Sequence, residues 1–245
     1  LASISEFEDE IYSEIQKDEN WGFEKVFLNG ENLSFGKDLN DWVIENVLFK
    51  VLYPAEFHGQ SAIEASVKLS ELYKEKEQEI EKIIVETHEP AIRIISNKEN
   101  LKNASDRDHS LEFMVAAGLL FKEVNSKTYE DNFSGLKQIE NLRRKIKAQE
   151  NKEFTENYYD MSKRHIANTV YFQYTDGSFS QKETVETPIG HPNRREEAEP
   201  LLKQKFINNM SSHFSEERAK DIWEKILLID VDSEFKEVIK LLSND

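Results

Sequence analysis

Residues Asn46 to Ala65 read N-V-L-F-K-V-L-Y-P-A-E-F-H-G-Q-S-A-I-E-A. An apolar run, Val47 to Tyr53, carries one lysine, Lys50, in its middle. Pro54 ends the extended segment, because it lacks a backbone N–H and biases Tyr53 toward extended geometry. Glu56, His58 and Gln60 follow at alternate positions. Ser61 with Glu64 has capping-box spacing and predicts a helix from Ser61 to about Lys76. A buried lysine, a carboxylate, an imidazole and an amide at a helix start suit an anionic substrate. Two ordinary readings stand beside this one: Lys50 snorkels to the surface along its stem, and His58 is a plain loop histidine.

Working outward, Ile4, Phe7, Ile11 and Ile15 have helical spacing over 4–17. Lys25 to Leu28 reads as a short extended segment, Asn29-Gly30 as a turn, and Leu33 to Phe35 as the return. Ile80 to Glu86 alternates as an interior strand. Ala91 to Ile95, after Pro90, reads as an edge strand or a helical turn. Asp106 to Phe121 predicts one largely buried helix, and Leu136 to Gln149 an amphipathic one with Arg143-Arg144-Lys145 as a solvated basic face. His165 to Tyr174 and Phe179 to Thr187, joined at Asp176-Gly177, form the strongest hairpin signal. Helices are expected over Ala198–Ser211, Glu216–Leu228 and Glu234–Ser243. This is an α+β pattern with helices at both ends of the chain.

The 245 residues are enough for one sizeable core or two modest ones. A net charge of −16 excludes nucleic acid as a partner and disfavours an anionic membrane surface. It also repels polycarboxylates, so an anion site needs a local group of cations. The absence of cysteine excludes disulfides and thiolate ligation from this chain and suits the cytoplasm. No apolar run approaches the ~20 residues that span a bilayer. The histidines at 58, 88, 109, 165, 191 and 213 are too scattered to propose a metal, and nothing in the sequence asks for a cofactor. His88-Glu89 lacks the second histidine of a zinc protease, Ile92 standing there, and no phosphate-binding or nucleophile-elbow motif occurs.

The Asn46–Ala65 stretch resembles a segment of the MmgE/PrpD family, in its 2-methylcitrate dehydratase branch: E-N-V-L-F-K-x-x-[FY]-P-A-E-F-H-x-Q-[ST]-A-[VI]-E-A. Three further blocks stand in that family's order. They are Thr87-His88-Glu89 with Ile92-Arg93-Ile94-Ile95, then Ala104 to His109 with Met114-Val115-Ala116, then Pro188-Ile189-Gly190-His191 with Arg194-Arg195, Pro200-Leu201-Leu202 and Lys205-Phe206. The resemblance runs from Trp21 onward.

It implies a helical domain built from both ends of a longer chain, with an α+β lid inserted between. Residues 1–49 are then a remnant of the helical domain, 50–189 the lid, and 190–245 helices returning to the helical domain. Family members run to about twice this length, counting length as a soft prior. The chain is therefore expected to be a C-terminal half whose missing N-terminal helical half is its partner, inactive alone. Exposed apolar surface on the remnant helices is expected to drive homodimers.

The activity implied is dehydration of 2-methylcitrate, a tricarboxylate, to 2-methyl-cis-aconitate in propionate breakdown. That chemistry asks for cations on carboxylates, a base for the proton α to a carboxylate, and an acid for the departing hydroxyl. Lys50 matches the family's lysine at the domain junction, as a group binding a carboxylate or the leaving hydroxyl. His58 is the acid/base candidate, an imidazole being suited to proton transfer, or else a group capping the next helix. Substrate-binding candidates are Gln60, Arg107, His109, His191, Arg194 and Arg195. Two of these groups have structural alternatives: Asp106 and Asp108 as helix caps paired with Arg107, and the arginine pair as a salt link between domains. Phe113 stands where the family usually has a tyrosine, so that hydroxyl donor is absent. Within the same fold, cis-aconitate decarboxylation and dicarboxylate epimerisation are the alternatives. From a different class, the alternative is a catalytically inactive assembly module.

Overall fold

The computed structural model describes residues 23–31, 47–96, 100–229 and 235–243. The chain divides into two compact units, Leu1–Asn46 and Val47–Asp245. In the first, α1 (Phe23–Phe27) is a single helical turn rather than the extended segment expected at Lys25 to Leu28. Phe23 and Phe27 stack at 5.2 Å, four residues apart on one helix face, and Asn29 and Gly30 take the left-handed conformations of a turn. The helix expected over 4–17 and the strand at 33–35 lie outside the described residues.

The second unit is an α+β arrangement. In order come α2 (Phe57–Lys76), β1 (Ile80–Thr87), α3 (Glu89–Ile95), α4 (Ala104–Asp108), α5 (Leu111–Phe121), α6 (Leu136–Arg143) and β2 (Ile146–Glu150). After these follow α7 (Lys152–Tyr159), β3 (Asn168–Tyr174), β4 (Glu183–Val185), α8 (Arg195–Met210), α9 (Glu216–Ile226) and α10 (Phe235–Leu241). The four strands lie in the order β2-β1-β3-β4, with β1 and β2 parallel and the other pairs antiparallel. β1 is thus interior, as its alternation predicts.

Register explains the two faces. Ile83 faces Ile146 on one side and Phe172 on the other, and Val85 faces Ala148 and Val170. These side chains join Ile63, Leu69, Leu111, Met114 and Leu119 from α2 and α5 in the main core. The opposite face carries Glu86, which accepts bonds from Tyr171 and Lys182. Helix α5 is buried along nearly its whole length and is apolar apart from Glu112, which accepts from Ser96 and Ser110. It crosses α2 closely at Gly118, where a Cβ would sit 3.0 Å from Ser66 Cβ.

Several expected boundaries move, each for a local reason. α2 begins at Phe57, not Ser61, because the Glu56 carboxylate accepts the His58 amide and caps the helix. Ser61 is buried inside it, donating to the Ile166 carbonyl and accepting from Asn168. The segment after Pro90 is helical, with the proline in the first turn. The helix expected over Asp106–Phe121 is two helices, because Ser110 caps α5 by accepting the Phe113 amide. The helix expected to reach Gln149 stops at Arg143, and Ile146 to Glu150 pairs with β1 instead. Asn168 to Tyr174 and Glu183 to Val185 form the expected hairpin, and α8, α9 and α10 fall within a few residues of their predicted ranges.

Candidate active site

Pro54 and Ala55 lead into the cap of α2, and that cap also orients an imidazole. Glu56 Oε2 accepts the His58 backbone amide at 2.8 Å, while Oε1 lies 2.7 Å from His58 Nδ1. A carboxylate there holds the ring as the Nδ1–H tautomer and leaves the Nε2 lone pair as acceptor. The Tyr158 hydroxyl is its partner, donating to Nε2 at 3.1 Å. Glu56 is itself fixed by its own amide, which donates to the Asp108 carbonyl at 3.1 Å. Asn168 at the start of β3 donates to the His58 carbonyl at 2.8 Å and braces the helix start.

His88, fully buried at the end of β1, completes the group. Its ring lies 5.0 Å from that of His58 and meets the Tyr158 ring edge to face at 4.6 Å. Burial, then the neighbouring His58 charge, pushes the His88 pKa down to about 4. Burial alone raises the Glu56 carboxyl, but the His58 bonds and charge, with His109, bring it below its ordinary value. Burial raises the Tyr158 phenol, and Tyr159 and Glu56 add to that, so it keeps its proton at neutral pH.

The other sequence candidates divide. Lys50 is exposed rather than buried, its ammonium 5.3 Å from the Phe57 ring centre. Gln60 is buried and donates to the Ala55 carbonyl at 3.1 Å. Arg107 is buried and donates to the Tyr129 carbonyl and to Asp131 at 2.7 Å, not to Asp106 or Asp108. Asn103 caps α4 in place of those aspartates. His109 is exposed, 2.6 Å from Asp108. His191 is buried, accepting the Asn193 amide at Nδ1 and facing the Arg164 carbonyl with Nε2. Its burial lowers its pKa.

Arg194 forks onto both Glu64 oxygens at 3.0 and 3.1 Å, holds Glu197 at 2.8 Å, and donates to the Thr187 carbonyl. The Glu197 bonds, then Glu64, raise its pKa against the cost of burial. Arg195 lies over the Phe49 ring at 4.2 Å and donates to the Val47 carbonyl. Within this chain Arg107 is held by Tyr129 and Asp131, and Arg194 by Glu64, Glu197 and Thr187. His58 stands within one hydrogen-bonded group with Glu56 and Tyr158.

The two ends of the α+β body meet. The Phe49 amide donates to the Gly190 carbonyl, Lys205 donates to the Lys50 carbonyl, and Val51, Ile189 and Ala198 form a small separate core. Among the described residues no group of three or more His, Asp or Glu side chains is placed to hold a metal, and no helix is long and apolar enough to cross a membrane. His88 and Tyr158 were not found from the sequence. His88 stood in the Thr87-His88-Glu89 block and in a failed metal motif but was given no role at the site, and Tyr158 carries no local signal.

Residues 53–230 match the MmgE/PrpD C-terminal domain, and the chain belongs to that family. It is 42% identical over 207 residues to the 2-methylcitrate dehydratase of Escherichia coli (strain K12), covering 83% of this chain and 43% of that protein. It is 36% identical over 225 residues to the 2-methylcitrate dehydratase of Cupriavidus necator, covering 91% and 46%. A mitochondrial 2-methylcitrate dehydratase of Yarrowia lipolytica is 37% identical over 205 residues, covering 82% and 39%. The chain spans less than half the length of these relatives.

Proposed function

We propose that this chain is the C-terminal portion of a hydro-lyase that dehydrates 2-methylcitrate to 2-methyl-cis-aconitate. Residues 50–189 serve as its lid, and 1–49 and 190–245 belong to its helical portion. The observation that carries the reading is the Glu56–His58 pair at the head of α2, a carboxylate-oriented imidazole whose Nε2 points away from its anchor. Such a pair takes the proton α to a carboxylate, as the dehydration requires. Lys50, exposed beside Phe57, faces a substrate carboxylate or the departing hydroxyl. The names of the relatives supply the substrate.

The test is turnover by the full-length protein that contains this segment, followed by ultraviolet absorbance of the conjugated double bond. 2-Methylcitrate is expected to react faster than citrate, with neither decarboxylation of cis-aconitate nor epimerisation of a dicarboxylate. No dehydration of 2-methylcitrate would overturn the reading. The 245-residue chain alone is expected to show no turnover.

A second reading, an assembly module, is favoured by Leu227, Leu228, Ile239 and Leu242, which stand exposed on and after α9 and α10. It predicts that the isolated chain self-associates, homodimers included, in sedimentation experiments.

A further inference from the structure

We infer that Tyr158 is a second proton-handling residue of the site, giving its phenolic proton to the departing hydroxyl and recovering one from His58. This rests on the hydro-lyase reading above and adds the acid which that reading leaves unassigned.

The tyrosine is held from three sides. Helix α7 is tied to the end of β1 where the Asn151 amide donates to the Thr87 carbonyl at 2.8 Å. A second tie is the Glu89 amide, which donates to Thr155 Oγ1 at 2.9 Å. The ring is packed against His88 at 4.6 Å and Tyr159 at 5.2 Å. His88 is wholly buried, and its Nε2 has no hydrogen-bond partner. Held through Nδ1 by Thr87 Oγ1 at 3.2 Å, this imidazole lies edge to face with the phenol and positions that ring. Tyr158 is only half-buried, so the residue is not sealed off from solvent.

Hydroxyl geometry then permits the exchange. An O–H turns about its C–O bond without moving the ring, so the oxygen can stay 3.1 Å from Nε2 while the hydrogen turns to substrate. The C–H bond α to the carboxylate breaks and its proton goes to His58 Nε2. The electron pair left behind forms the carbon–carbon double bond as the C–O bond breaks. The departing hydroxide takes the Tyr158 proton and leaves as water. The phenolate, facing the imidazolium across the same hydrogen bond, takes the proton back. One water leaves the substrate, and both residues return to their starting states.

The experiment is Tyr158→Phe in the full-length enzyme, which keeps the ring packed on His88 and removes only the hydroxyl. kcat for 2-methylcitrate is expected to fall about 100-fold, the lower end for general acid–base catalysis, with KM changed less than about threefold. The acidic limb of the kcat/KM profile is expected to move to higher pH, because the neutral imidazole loses its donor. As a second variant, 3-fluorotyrosine at position 158 preserves shape with a more acidic phenol, and is expected to move the alkaline limb to lower pH. Wild-type kcat and unmoved limbs in both variants would overturn the assignment while leaving the hydro-lyase reading standing. A wild-type enzyme without dehydration overturns both.

Discussion

The Phe49 amide donates to the carbonyl of Gly190 at 3.2 Å, so the segment entering the α+β body lies against the segment leaving it. Gly190 sits at φ +99°, a conformation open chiefly to glycine, and a Cβ there would be driven into the Phe49 carbonyl oxygen. Gly190→Ala is expected to destabilise the protein by about 2 kcal/mol or more, read as a lower urea midpoint. An unchanged midpoint would show that the two segments part without cost.

His58→Ala in the full-length enzyme is expected to lower kcat by about 100-fold or more. Glu56→Gln keeps a capping acceptor but loses the charge that orients the imidazole, and a smaller drop of about tenfold is expected. Steady-state kinetics on both variants checks this. A Glu56→Gln enzyme as fast as wild type would remove the carboxylate from the reaction.

On the proposed function, Lys50→Ala is expected to raise KM for 2-methylcitrate about tenfold, the loss of one charge-assisted contact of roughly 1.5 kcal/mol. Wild-type turnover and KM would exclude it from the site.

Arg194→Met is expected to act on stability. Its guanidinium is 19% exposed and forked onto Glu64, which is 12% exposed and would be left without that partner. A loss of about 2 kcal/mol is expected, less than for a fully buried pair, with KM within about twofold of wild type. A large rise in KM at unchanged stability would instead make Arg194 a substrate ligand.

His88 supplies a pH dependence. Its folded pKa is about 4, below the ordinary value near 6.5, so the unfolded chain binds the extra proton first as pH falls. Stability is fully present above pH ~6.5 and is lost between there and pH ~4, by up to about 3 kcal/mol. Glu56, also held below its ordinary value, pulls the same way at the acid end. Urea midpoints from pH 7 to 4.5 should fall more steeply for wild type than for His88→Phe.

Elements decided by nearby residues could be read before folding. The alternation of Ile80 to Glu86 and the Asp176-Gly177 turn appear where expected. The stretch from Ile146 to Glu150 did not, because Ile146 sits four residues after Leu142 and extends the helical period equally well. Only its partner, Ile83, decides in favour of a strand, and that partner is far along the chain. The site divides in the same way. His58 was legible beside Pro54 and Glu56, but Tyr158 meets it across 100 residues with no local mark. The ion-pair partners of Arg107 and Arg194, Asp131 and Glu64, are remote in sequence, so neither pair could be read there.

The interruption at Ser110 has a result at the other end of a hydrogen bond. Were α4 and α5 one continuous rod, the Asp108 carbonyl would be turned inward to serve the rod's own next turn. Because the rod is broken, that oxygen faces outward and accepts the Glu56 amide. The anchor of the imidazole is therefore set by a discontinuity in a neighbouring element, and repairing that discontinuity would unmoor His58 without touching it.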